Sequence, residues 1–274
     1  MAEENYSNSD LSLMLNRNNI LLDQSRRLVL EAIYRGRSLL LRLKYGEVAP
    51  QPHQILFIDP SAVKYIIAPR FHADFSHRSS YVIDGDWDIR ESENRLYFAG
   101  SVEPGYSSSS RSIVPINDFV FYQSCCDRYH NGMRWEETEF YQWLLENLDK
   151  KIPRYENEVE ITERLAFLDS LYDTFCNSGY KSQHKLSSSE RSNWYDEVLI
   201  DIGRDGQLIL DDGRHRLILA KLAGIRELPV RILVRHEEWQ ETRTKVANAN
   251  FNNIEDFPFD EKHPDLKPLV NEDH

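Results

Sequence analysis

Residues 211–216 read Asp-Asp-Gly-Arg-His-Arg, with the apolar run LIL before them and LILAKLAG after them. The pattern predicts a strand that ends at two carboxylates, turns at a glycine and opens a helix with three cation-capable side chains. A helix start already carries partial positive charge, because its first N–H groups have no partner inside the helix. Arg214, His215 and Arg216 add to that charge, so the arrangement calls for an anion. Gly213 lets a phosphate come close to the backbone. Arg216 offers a planar fork for phosphate oxygens, and His215 adds a donor that can titrate. Asp212 is placed either to cap the helix or to hold a metal. The chemistry expected here is binding of a nucleotide or another phosphate.

The elements around this turn follow from periodicity. EITERLAFLDSLYDTFCNSGYKS (160–182) has a helical apolar stripe, Ile161, Leu165, Leu168, Leu171, Tyr172 and Phe175, and Gly179 to end it. VLIDIG, RDG and QLIL read as strand, tight turn, strand. The helix that follows spans about 214–223 and closes at Gly224, and ELPVRILV (227–234) is a further strand. Earlier in the chain, QILFIDP (54–60) reads as a short buried strand, SAVKYII as a brief helix or strand, and 118–151 as two helical pieces broken at Asn131–Gly132. SSYVIDGDWDIR (79–90) gathers Asp84, Asp86 and Asp88 around Gly85 and Trp87, either a hard-cation site or a solvated turn. EPGYSSSSRSIVP (103–115) reads as a loop of small residues.

A basic amphipathic helix is predicted over 20–46, with Leu22, Leu28, Val29, Ala32, Ile33, Leu39, Leu40 and Leu43 on its apolar side. It reads first as a surface helix packed on the core and second as a membrane-surface helix. The polar stretch KKIPRYENE suggests a boundary. The expected organisation is a loose segment 1–18, an α+β region 19–155, a mixed α/β domain 156–245 and a tail 246–274.

With 274 residues, 41% hydrophobic and 28% charged, the chain can bury a sizeable core. A net charge of -12 weighs against a nucleic-acid coat as the main partner. The 3 cysteines form no CxxC pair, which excludes the usual structural zinc pattern and fits a reducing, cytoplasmic setting. The N-terminus lacks a secretory pattern, and no apolar run approaches 18 residues, so no membrane partner is expected.

LDDGRHRLILAKLAGIRELPVRILV, with the helix before it, resembles the core of the ParB/sulfiredoxin superfamily over about 160–241. The resemblance implies an α+β fold in which a ParB/sulfiredoxin-like domain carries an N-terminal α+β extension. Arg214 stands where the sulfiredoxin branch has its catalytic cysteine, so that chemistry is excluded. The His–Arg pair that holds nucleotide phosphates in that branch maps onto His215 and Arg216. In the partition-protein branch the turn grips the triphosphate of CTP, and a later ENLQR segment serves the metal and hydrolysis. EEWQE stands at that place here, with Glu237 and Gln240 matching and Glu238 replacing the asparagine. A third branch phosphorylates free serine with a glutamate base. The resemblance therefore implies phosphate contacts at Gly213, Arg214, His215 and Arg216, a base at Glu237 or Asp211, and Mg2+ at Asp212 or Glu238. The function it implies is a Mg-dependent phosphotransferase or NTP hydrolase using a nucleoside di- or triphosphate. The alternative is a non-catalytic nucleotide-sensing module, or a DNA-binding, nuclease-like one.

Overall fold

A computed structural model describes residues 32–33, 35–52, 54–68, 70–71, 74–75, 80–90, 111–148, 155–182, 197–248 and 263–269. The expectations for 1–18, for most of the loop 103–115 and for the serine-rich stretch after 182 lie outside the described residues. The chain forms two compact units, Met1–Pro50 and Gln51–His274. In the first, residues 35–45 are helical (α1) and Gly46, at φ 62, opens a short 3-10 turn.

The second unit is α+β. Its seven strands, β1 Ile55–Ile58, β2 Tyr65–Ala68, β3 Tyr81–Ile83, β4 Ser112–Pro115, β5 Val198–Ile202, β6 Leu208–Asp212 and β7 Leu228–His236, form one mixed sheet. The order is β1-β7-β5-β6-β2-β4, with β3 extending the β1 edge along β7. β5 and β6 are the predicted hairpin and pair antiparallel, whereas β5 runs parallel to β7 and β6 parallel to β2. The expected boundary near 155 falls inside this sheet, because strands from both sides of it are hydrogen-bonded neighbours. Composition along KKIPRYENE reports only a polar connection. Strand pairing across 140 residues leaves no local trace.

β5 and β7 are buried along their whole length. One sheet face, with Val198, Ile200, Ile202, Leu210, Val230 and Ile232, packs on helices α2 Val120–Tyr129, α3 Glu139–Glu146, α4 Glu158–Ser178 and α5 Arg214–Leu222. The other face, with Ile67, Leu199, Ile209 and Leu233, is covered by Phe71, Tyr81 and Trp87. α4 starts where Asn157 accepts the Glu160 N–H, buries Ile161, Leu165, Leu168 and Phe175, and stops at Gly179, at φ 71. That spacing is the helical stripe read from sequence.

α6, Glu237–Asn248, follows β7 without a loop, where the sequence suggested a tail from 246. Its Trp239 and Arg243 receive the segment 263–269 through Asp265. Asp265 is buried and accepts two bonds from Arg235, at 2.9 and 2.7 Å, and one from the Trp239 indole at 3.0 Å. Arg243 adds an ion pair at 3.1 Å. These arginines hold the Asp265 carboxyl below the usual carboxylate range against the opposing effect of burial. Leu266 joins the core beside it.

Asp265→Asn removes the negative charge between two buried guanidiniums. Breaking a buried pair costs about 3–5 kcal/mol, so urea denaturation should show a loss of that order. A loss below about 1 kcal/mol, the size of a surface ion pair, would contradict the assignment.

Candidate functional site

The turn at the end of β6 has the conformation that its glycine suggested. Gly213 is left-handed at φ 86, and a Cβ there would stand 3.1 Å from the Val198 Cα, against backbone. The first helical bond of α5 runs from the Leu217 N–H to the Gly213 carbonyl at 3.0 Å, and Gly213, the N-cap residue, has no side chain to cap it. The Asp212 Oδ1 accepts from Arg70 Nη1 at 2.6 Å. The preceding Asp211 is buried and its Oδ2 accepts the Phe71 N–H, also at 2.6 Å. Two consecutive carboxylates thus hold two consecutive residues of the segment after β2, and Arg70 is delivered to the start of α5.

Arg70, Arg164, Arg214 and Arg216 gather around that start. The Arg214 guanidinium is pushed down to about 10, first by burial and then by the Arg70 charge, with Arg164 adding to it and Asp212 opposing. Among the described residues no hydrogen bond is made to that guanidinium. His215 lies edge-on to Phe121 at 4.9 Å, and its Nδ1 stands 3.3 Å from Arg164 Nη2. Burial, then the charges of Arg214, Arg164 and Arg216, push the imidazole down to about 3. A neutral ring facing a guanidinium accepts through a bare Nδ1 and carries its proton on Nε2. His215 therefore orients Arg164, a role that the sequence reading did not give it.

Glu237 and Glu238 are not at this end of the molecule. Asp212 lies level with Leu199, and Leu199 with Arg231. Glu237 begins α6 six residues beyond Arg231, about 20 Å further along the strand direction at roughly 3.3 Å per residue. Glu238 is exposed and stands 3.9 Å from Arg204. Gln240 is buried, with its Oε1 bound to Arg243 at 2.8 Å. The expected base Asp211 and metal ligand Asp212 thus stay with Gly213–Arg216, and the expected Glu237 and Glu238 do not. Among the described residues no group of three or more His, Cys, Asp or Glu is disposed to hold a metal ion.

The sheet face opposite the helices carries a cavity of about 400 Å³, lined by Phe71, Ile83, Asp84, Gly85, Asp86, Trp87 and Arg111. The aspartates around Trp87 line a cavity here, yet they are also braced by protein. Arg204 binds Asp88 at 2.8 Å, Asp86 at 2.9 Å and the Gly85 carbonyl at 3.1 Å. Arg111 lies 4.3 Å over the Phe71 ring and pairs with Asp74. Beneath it Asp201 is fully buried, with Oδ1 accepting the Val234 N–H at 3.0 Å. Burial and the neighbouring Asp211 carboxylate push the Asp201 carboxyl well above the usual range. Arg70 serves the arginine cluster and its neighbour Phe71 the cavity, so one short segment touches both.

Sequence reasoning missed Arg70, Arg164 and Asp201. Arg164 lies on the polar side of a well-read helix, where an arginine is unremarkable, and Arg70 follows a proline outside any periodic run. Compared with known proteins, the chain matches no family model, no curated protein and no solved structure.

The His215 environment sets an acid limit. Its folded pKa lies far below the unfolded value of about 6.5. The unfolded chain therefore binds the extra proton between these values, and stability falls as pH drops through that window. His215→Gln keeps an acceptor for Arg164 without a titrating ring. The variant's melting temperature should decline less steeply from pH 6.5 to pH 4 than the wild type's. Parallel curves would show that His215 is not held neutral.

Proposed function

We propose that the chain binds a nucleoside di- or triphosphate, or a similar phosphorylated small molecule, with its phosphates at the start of α5. The observation that carries this reading is the cluster of Arg70, Arg164, Arg214 and Arg216 around the start of α5, behind the left-handed Gly213. Four like charges repel one another; Asp212 pairs with Arg70, and a neutral His215 faces Arg164. An anion with several oxygens would be attracted to the guanidinium forks and to the first N–H groups of α5.

Phosphoryl transfer or hydrolysis asks for more. It needs carboxylates to hold Mg2+ and a base beside the acceptor. Asp212 is the carboxylate nearest the cluster and is engaged by Arg70. Asp211 is sealed under Phe71, and Glu237 and Glu238 belong to the far end of the sheet. Among the described residues, no group of three or more His, Cys, Asp or Glu gathers around the turn. A nucleotide-binding module is thus better supported than a phosphotransferase or NTP hydrolase. The net charge of -12 keeps DNA a weaker candidate than a free nucleotide.

Titration calorimetry with CTP, ATP, ADP and GTP, each with and without Mg2+, tests the reading. At least one nucleotide should bind, and Arg214→Ala should weaken it by about 1.5–3 kcal/mol, tenfold to over a hundredfold in Kd. The same substitution removes a crowded cation, so the ligand-free melting temperature should hold or rise. Folded protein that takes up none of the four nucleotides overturns the proposal.

A further inference from the structure

The helix α1 has an apolar side that is open to solvent. Ile33, Leu39, Leu40 and Leu43 are exposed at 56%, 59%, 67% and 76%. At roughly 100° per residue, Ala32, Ile33, Gly36, Leu39, Leu40 and Leu43 fill one arc about 120° wide. The partly buried residues of the helix, Ser38, Leu41 and Tyr45, lie on the other side.

Charge decides what fits this arc. Arg35 and Arg42 border it on one side, and Arg37 and Lys44 on the other. No Asp or Glu occurs from 32 to 45, in a chain whose net charge is -12. Two copies of the helix laid face to face would set basic border against basic border in either orientation, with like charges opposed. The arc is also broader than the a/d seam of a helix pair. A flat surface that is apolar beneath and negative at its rim meets the arc and both borders together. No helix of the described residues is long and apolar enough to cross a membrane, and a helix lying in the interface needs no such length.

We propose that α1 lies on an anionic phospholipid surface, with Ile33, Leu39, Leu40 and Leu43 entering the headgroup–acyl boundary and Arg35 and Arg42 contacting lipid phosphates. This surface is independent of the arginine cluster at α5, so either proposal can fail alone.

The test is sedimentation of the full-length chain with large unilamellar vesicles, of phosphatidylcholine alone or with about 30% phosphatidylglycerol, at low and high salt. The anionic vesicles should bind at least tenfold more tightly, and high salt should erase most of that difference. The double variant Leu40→Asp with Leu43→Asp should fall to the neutral-vesicle level while melting like the wild type. The double variant Arg35→Gln with Arg42→Gln, which leaves the apolar arc intact, should lose the preference for anionic lipid. Equal binding to both vesicle types overturns the proposal, as does binding that neither variant weakens. A dimer seen by light scattering and dissolved by the leucine variant, with no vesicle binding, assigns the face to a second copy. Absence of vesicle binding with capture of an acidic protein through the same leucines assigns it to a protein partner, and also overturns the proposal.

Discussion

The paired grip of Asp211 on the Phe71 N–H and of Asp212 on the Arg70 guanidinium is the constraint on which the rest of the site depends. β6 ends in two carboxylates, one turned into the sheet's second face and the other toward the start of α5, because consecutive strand residues point to opposite sides. Each holds one of two consecutive residues from a segment some 140 positions earlier. Arg70 thereby reaches the arginine cluster and Phe71 closes the second core, where it meets Trp87 at 5.1 Å and Arg111 at 4.3 Å. The pairing also explains a cost in the core. Asp211 stands beside the buried Asp201, and two carboxyl groups in a dry sheet favour keeping a proton between them.

The arginine cluster is the converse arrangement. Like charges are brought together on the helix side, and burial of Arg214 and His215 strengthens their mutual repulsion. His215 relieves part of it by staying neutral and offering Nδ1 to Arg164. At the other end of the sheet the charges are balanced instead. Asp265 sits between Arg235 and Arg243, and Arg204 is surrounded by Asp86, Asp88 and the Gly85 carbonyl.

Much of the architecture was legible in local patterns. The stripe from Ile161 to Phe175 with Gly179, the VLIDI and LIL strands around a D-G turn, and the break at Gly132 all appear as read. These elements are set by periodicity and by positive-φ glycines, which act over a few residues. α6 was harder to see, because its apolar residues are few and its buried face is largely polar, with Gln240 and Arg243 beside Trp239. The division near 155 failed for a different reason. A sheet that interleaves β1–β4 with β5–β7 is made of long-range pairings, and a polar linker looks the same whether or not its flanks rejoin.

By itself the sequence determined that Gly213, Arg214, His215 and Arg216 form a strand-to-helix turn and that α1 carries an apolar arc, since each lies within a single element and its first neighbours. Only the tertiary structure decided which residues share the turn. It brought in Arg70 and Arg164, turned the Nδ1 of His215 toward Arg164, and sent Glu237 and Glu238 to the opposite end. The physical reason is strand direction: β6 runs antiparallel to β5 and β5 parallel to β7, so the ends of β6 and β7 point apart, and no count of residues between them reveals it.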